Sequence, residues 1–182
     1  MIVTFSGAAG SGKSGIAKRL AEHLGWPYYD MGGLRRRAAE KRGLTLAEYN
    51  SLGETDPTTD TDIDDYQTEL GKTQDNFVIV GRTSWHFIPH SFKIFLTVRP
   101  EVGAERVLKS LEGRNEDSGL KTVEDIIESN KRRVESDRLR YQKYFNIDAY
   151  DESNYDWVLD TSDLSEEEVF ERVFKEISRR IR

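Results

Sequence analysis

Eight residues near the start of the chain have the types and spacing to hold a polyphosphate. Gly7, Ala8, Ala9, Gly10, Ser11, Gly12, Lys13 and Ser14 fit the pattern G-x-x-x-x-G-K-[ST]. Glycines at this spacing let successive backbone N–H groups turn toward one anion. A helix opening near Lys13 adds the positive end of its dipole. Lys13 supplies a point charge for the outer phosphates, Ser14 a hydroxyl ligand for Mg2+, and Gly15 continues the cradle. The pattern specifies phosphate binding and leaves open what happens to the phosphate.

The flanking residues supply the elements that such a loop needs. Ile2, Val3 and Phe5 read as a short buried strand, and Ile16, Leu20 and Leu24, with Ala17 and Ala21, as one apolar face of a helix. After Gly25-Trp26-Pro27, Tyr28 and Tyr29 suggest a second strand. Asp30-Met31-Gly32-Gly33 then leads into a helix carrying Arg35, Arg36 and Arg37, of which helical geometry lets one or two face a common site. Gly43 ends it, and Thr45 opens a short helix to about Leu52. A polar turn region is expected from Gly53 to Thr61, followed by a helix ending at Gly71 whose start is crowded by Asp60, Asp62, Asp64 and Asp65. Acidic residues there suit the helix dipole better than a metal site. Phe77-Val78-Ile79-Val80 reads as a buried parallel strand delivering Gly81-Arg82-Thr83 at its C-terminal end, where ligands bind in open α/β sheets. Lys93–Val98 and Tyr155–Asp160 are the remaining strands, Arg114 to Gly119 a polar loop, and Val123 to Phe145 a long helix. Trp85, His86 and His90 read as packing or loop residues. About five strands alternating with helices predict a parallel sheet covered on both faces.

Bulk properties narrow the class. The chain has 182 residues, 36% hydrophobic and 33% charged, enough for one domain with a real core. With no cysteine, disulfides, thiolate metal sites and cysteine nucleophiles are excluded; three scattered histidines do not suggest zinc. The cysteine-free composition and the absence of a long apolar run predict a cytoplasmic protein with no membrane partner. A net charge of −6 with no basic block argues against nucleic-acid binding. A monomer is expected.

The long helix offers a second cluster. Ile127, Val134, Tyr141 and Phe145 fall within about 20° of one line and should form its buried stripe. Arg133, Asp137 and Arg140 lie together on one flank, so that edge presents two guanidiniums with a carboxylate between them. Guanidinium forks match phosphate oxygens; the alternative is a solvated helix with i,i+4 ion pairs. Arg36 and Arg82 follow the second and third strands and so share the ligand side of the sheet. Several arginines near a bound triphosphate suggest a second anionic substrate and charge stabilisation during transfer. Asp30 could orient a metal-bound water, pair with an arginine, or simply make the turn.

Over essentially its whole length the chain resembles cytidylate (CMP) kinases, especially the short archaeal type. The likeness rests on Gly7 to Ser14, Asp30-Met31-Gly32-Gly33-Leu34-Arg35-Arg36, Gly81-Arg82, the Arg133…Asp137…Arg140 spacing and Val158-Leu159-Asp160-Thr161-Ser162. It implies a P-loop NTPase fold, a three-layer α/β/α sandwich, with a mobile NMP-binding segment over residues 31–76 and a lid over 111–141 within one domain, 1–182. It implies ATP and Mg2+ as cofactors and CMP or dCMP as acceptor. Lys13, Arg133 and Arg140 would be catalytic. Arg36 and Arg82 would hold the acceptor's phosphate, and Asp137, Arg133 and Arg140 would contact substrates from the lid side. The chain departs from the bacterial enzymes at Thr83, where those carry an aspartate that contacts the acceptor, at Gly15, where threonine is usual, and in lacking their longer NMP-binding insertion. Other readings are a kinase for UMP, AMP, shikimate, gluconate or dephospho-CoA, a regulatory GTPase, and a non-catalytic nucleotide-binding module. Asp30-Met31-Gly32-Gly33 and Asn130-Lys131-Arg132-Arg133 match the GTPase motifs only in part.

Overall fold

The structure is a computed structural model, and it describes residues 1–111 and 119–181. The expected polar loop from Arg114, and residues 112–118 of the expected lid, lie outside the described residues.

Five strands form one sheet: β1 (Ile2–Gly7), β2 (Tyr28–Asp30), β3 (Phe77–Val80), β4 (Phe92–Thr97) and β5 (Trp157–Asp160). All pairings are parallel, in the order β2-β3-β1-β4-β5. β1 sits at the centre with every residue buried. The chain winds outward from it first on one side and then on the other, so a crevice opens at the C-terminal ends of β1, β3 and β4. Loops leaving those ends carry the glycine loop and Arg82.

Helices cover both faces. On one, α1 (Lys13–Leu24) and α8 (Glu166–Ser178) bury Ile16, Leu20, Val173 and Ile177 against Val3, Phe5, Ile94 and Leu96. Residues of this kind contribute about 1.5–3 kcal/mol each on full burial. On the other, α4 (Thr58–Thr73) brings Leu70 onto Phe77, Ile79 and Ile88. Between β2 and α4 lie α2 (Met31–Lys41) and α3 (Leu46–Gly53); α5 (Ser84–Phe87) is one short turn after β3. α6 (Pro100–Lys109) packs through Ala104 and Val107 on Ile126 of α7 (Val123–Phe145). Trp85 packs in a separate cluster with Phe95 and Tyr155, while His90 is exposed.

Two expectations are corrected. α4 begins at Thr58, inside the stretch expected to be a polar turn, because Pro57 opens the helix with its fixed φ of −64°. Asp60 therefore lies in the first turn and Asp64 one turn later, and both side chains are buried. On α7 the buried positions are Ile126, Asp137, Arg140 and Tyr141, with Val134 and Phe145 only half-buried. The helix is rotated from the expected stripe, and two residues of the flank expected to meet substrate, Asp137 and Arg140, are buried.

Candidate active site

The glycine loop is shaped by backbone that tolerates no side chain. Gly7 has φ 144°, and a Cβ there would lie 2.2 Å from the Leu96 carbonyl oxygen. Gly10 has φ 76°, and its Cβ would lie 2.1 Å from the Gly103 carbonyl oxygen. The loop is thus wedged between β4 and α6. The Ala8 N–H donates to Leu96 O at 3.0 Å, and Lys13 Nζ donates to Ala8 O at 3.1 Å, curling the lysine over the loop. The Thr161 hydroxyl bridges Ser11 O and Thr97 O at 3.2 and 3.0 Å. Arg106 donates to Thr161 O at 2.8 Å and to its hydroxyl at 3.1 Å, bracing the loop from α6.

The N-terminus of α1 lacks the side-chain caps that three other helices carry. α3, α7 and α8 each carry a capping box, with Thr45 and Glu48, Thr122 and Asp125, and Ser165 and Glu168. α1 starts from Gly12 in the left-handed region, with no side-chain cap and no acidic residue in its first turn. Its first N–H groups are therefore left to an external anion, which the dipole favours.

A cleft of about 1140 Å3 opens in front of this loop. A single ligand site is commonly about 300–1,000 Å3, so there is room for more than one small ligand. Ala9, Gly10, Ser11, Gly12, Lys13, Ser14 and Gly15 border it, whereas Gly7 and Ala8 anchor the loop from behind. Asp30, Arg36, Arg82 and Arg133 border it too. The sequence-predicted phosphate ligands from β1, β2, β3 and α7 thus converge on one space. Arg35, Arg36 and Arg37 all border it, where one or two were expected, but their guanidiniums go to different places. Arg35 turns inward to Asp60, Arg36 Nη2 stands 3.4 Å from Asp30 Oδ2 with both half-exposed, and Arg37 is exposed.

Asp137 and Arg140 are not among the residues that border the cleft. They lie beneath it, in a buried ion network that the sequence reading missed. Arg140, only 1% exposed, donates through Nη1 to both Asp60 oxygens at 3.0 and 2.8 Å and through Nη2 to Asp137. Asp60 also takes Arg35. Asp137 Oδ2 accepts from the Tyr150 hydroxyl at 2.7 Å and lies 2.7 Å from Arg82 Nε, which also donates to Tyr150 at 2.7 Å. The chain of contacts runs from α2 through α4 and α7 to the turn after β3. Burial works against charge on Arg82, but Asp137 and Tyr150 outweigh it and hold the guanidinium further above its ordinary value. Burial likewise opposes ionisation of Asp137, and Arg82, Arg140 and Arg133 overcome it, holding this carboxyl below the usual range. The Arg82–Asp137 pair is held ionised, and the network fixes Arg82 at the cleft wall. Tyr150 gave no local sequence signal of this role, because its partners are remote in the chain.

Similarity to known proteins bears on the family and the fold. The cytidylate kinase of Natronomonas pharaonis is 39% identical over 167 residues, covering 91% of this chain and 83% of its own. That of Methanocella arvoryzae is 36% identical over 97% of each chain. Among solved structures, shikimate kinase from Bacteroides thetaiotaomicron matches 100% of this chain and 98% of its own with a TM-score of 0.64 at 15% identity, a likeness of fold. The profile of the cytidylate kinase-like family matches residues 2–163, and the chain belongs to that family.

Proposed function

We propose that this protein transfers the γ-phosphoryl group of ATP to CMP or dCMP, giving ADP and CDP or dCDP. The observation that carries the reading is the convergence on one cleft of the glycine loop, for a donor, and of Arg36 and Arg82, for an acceptor that already bears a phosphate. A shikimate-type acceptor would offer the same arginines a carboxylate in place of a phosphate, so the choice of a nucleotide acceptor is supported by the family and not by the arginines alone. Family membership and the names of the relatives supply the base.

The chain's own groups divide the work as follows. Backbone N–H groups of the loop and of α1 hold the donor's phosphates, with Lys13 over the outer ones. Ser14 and Asp30 border the cleft, and this hydroxyl and carboxylate would suit Mg2+, which would supply charge neutralisation for the donor's phosphates. Arg36 and Arg82 orient the acceptor, whose ionised phosphate oxygen attacks the γ-phosphorus as ADP leaves, so no strong general base is required. Arg133, at the cleft edge, neutralises charge on the transferring group. Arg140 and Asp137 act as positioning residues behind Arg82 and not as contacts to substrate. Residues 31–76 serve as the acceptor lobe and the α7 end of 111–141 as the lid side. A monomer is part of the proposal, and the cysteine-free composition is in keeping with the cytoplasm. No helix among the described residues is long and apolar enough to cross a membrane.

The test is ADP production from ATP with CMP, dCMP, UMP, AMP, GMP and shikimate. CMP and dCMP should give the largest kcat/KM, and ATP alone only slow hydrolysis. Turnover of shikimate with none of the nucleotides would overturn the reading.

A further inference from the structure

The inward face of α4 is polar where a core helix would be apolar. Thr59, Asp60, Asp64 and Gln67 are all buried. Burying a carboxylate is costly unless a cation or several donors answer it. Asp60 is answered by two guanidiniums. Asp64 makes no ion pair among the described residues, and its carboxylate accepts one hydrogen bond, from Gln67 Nε2 at 3.0 Å. Burial first, and the neighbouring Asp60 charge second, push the Asp64 carboxyl up to about 7. Gln67, fully buried, is itself clamped: its Oε1 accepts from the Ser84 hydroxyl at 2.8 Å and its Nε2 also reaches Thr83 Oγ1 at 3.2 Å. A rigid amide therefore aims Asp64, and it aims it at the cleft, which Asp64 and Thr83 both border. Thr83 accepts from Gln67, so its own hydrogen is left to donate. The pair comes from α4 and from the turn that carries Arg82, on the acceptor side of the cleft and remote in sequence from the glycine loop.

The geometry points to Asp64 as the residue that selects the acceptor base: its carboxylate accepts a hydrogen bond from the exocyclic 4-amino group of cytosine, with the Thr83 hydroxyl donating to the ring edge beside it. The assignment rests on the nucleotide-kinase reading above and adds the group that tells one pyrimidine from the other. Uracil sets a carbonyl oxygen where cytosine has the amine, so above pH 7, where Asp64 is ionised, two acceptors would face each other with no proton between them, and the comparison of the two bases is made at pH 8. A site built around a buried hydrogen-bonding group rejects a ligand lacking the matching group far more strongly than a pocket that senses shape alone.

The experiment compares kcat/KM for CMP and UMP in the unmodified protein and in Asp64→Asn, an isosteric change whose amide can donate to a carbonyl. The unmodified protein should favour CMP by at least about 100-fold. In Asp64→Asn that ratio should fall at least about tenfold, chiefly through a raised KM for CMP. A ratio is internal to each preparation, so a misfolded fraction cancels. A second arm needs no variant: N4,N4-dimethyl-CMP, which has no N–H to donate, should lose at least about tenfold in kcat/KM against CMP in the unmodified protein. A variant ratio within about twofold of the original, or equal use of CMP and the dimethyl analogue, overturns the assignment while leaving the kinase reading in place. Phosphorylation of no nucleoside monophosphate at all would remove both.

Discussion

The two halves of the cleft are made of different material. The donor half is backbone: a glycine loop wedged against Leu96 and Gly103, an uncapped helix end, and few side chains beyond Lys13 and Ser14. The half proposed for the acceptor is side chains, in which Arg82 is held at the cleft wall by Asp137 and Tyr150, Asp137 in turn by Arg140, and Arg140 by Asp60. A site made of backbone keeps its shape when a side chain is removed. A site made of a buried ion network loses shape, stability and function together, because each partner removed leaves a charge without an answer. The halves should therefore respond to mutation in different ways.

The largest effect is expected in the acceptor half. Asp137→Ala strips an acceptor from Arg82, Arg140 and Tyr150 at once. Breaking a buried ion pair from one side typically costs about 3–5 kcal/mol. At about 2–4 °C per kcal/mol for a chain of this size, Tm should fall by about 6–20 °C, with activity falling as Arg82 loses its fixed position. Thermal unfolding followed by circular dichroism measures it. A Tm within about 2 °C of the parent would mean the network is dispensable and the contrast between the halves false.

Lys13→Ala is the matching cut in the donor half. Removing one preorganised electrostatic group from a transfer site typically costs about 10²–10³ in kcat. Here the loop is held by main-chain contacts to Leu96 and by Thr161 and Arg106, so Tm should move by no more than about 3 °C. Steady-state assays beside a melting curve would separate the two readouts. A large drop in Tm would show that the lysine braces the loop as well as charging it.

The same contrast explains what could be read from the sequence. The glycine loop is local: its strand, turn and helix occupy consecutive residues, and only glycine suits the conformations at Gly7 and Gly10. Phe77–Val80 was equally legible, since a fully buried parallel strand is an unbroken apolar run. On α7, periodicity found the helix and its length but set Asp137 and Arg140 on a flank of the buried stripe, where they were expected to meet substrate. What turns them inward is Asp60, 80 residues from Arg140 in sequence, and no period in one helix reports a charge waiting on another. For Asp60 and Asp64, crowded acids at a helix start were read as dipole partners. The spacing Asp60, Asp64, Gln67 did hold a clue, because it is a polar stripe at helical period on a helix with few apolar residues to bury.

The smallest expected effect is the one with the unusual sign. Asp64 is raised from the ordinary carboxylate value of 3.8 to about 7, by burial and then by Asp60. Between those values the folded protein holds a proton that the unfolded chain has lost, so the group's contribution is fully present below 3.8 and is lost as pH rises through 7. Asp137, held below the usual range, has the opposite sign and acts only as pH falls through the acid range. His86, lowered by burial, adds a contribution near neutrality that is common to parent and variant and cancels in their difference. Asn at position 64 has no proton to lose. Asp64→Asn should therefore match the parent near pH 4 and become progressively more stable toward pH 8. A shift of about three units sets a ceiling of about 4 kcal/mol, and water in the cleft should reduce this to about 1–3 kcal/mol. Urea melts of both ligand-free proteins at several pH values give the difference directly. Parallel curves would mean that Asp64 is well solvated and costs the fold nothing. Diverging curves would identify a residue that weakens the empty protein at neutral pH, a stability cost of the kind retained at a working site, where an amino-bearing base would add a second donor beside Gln67.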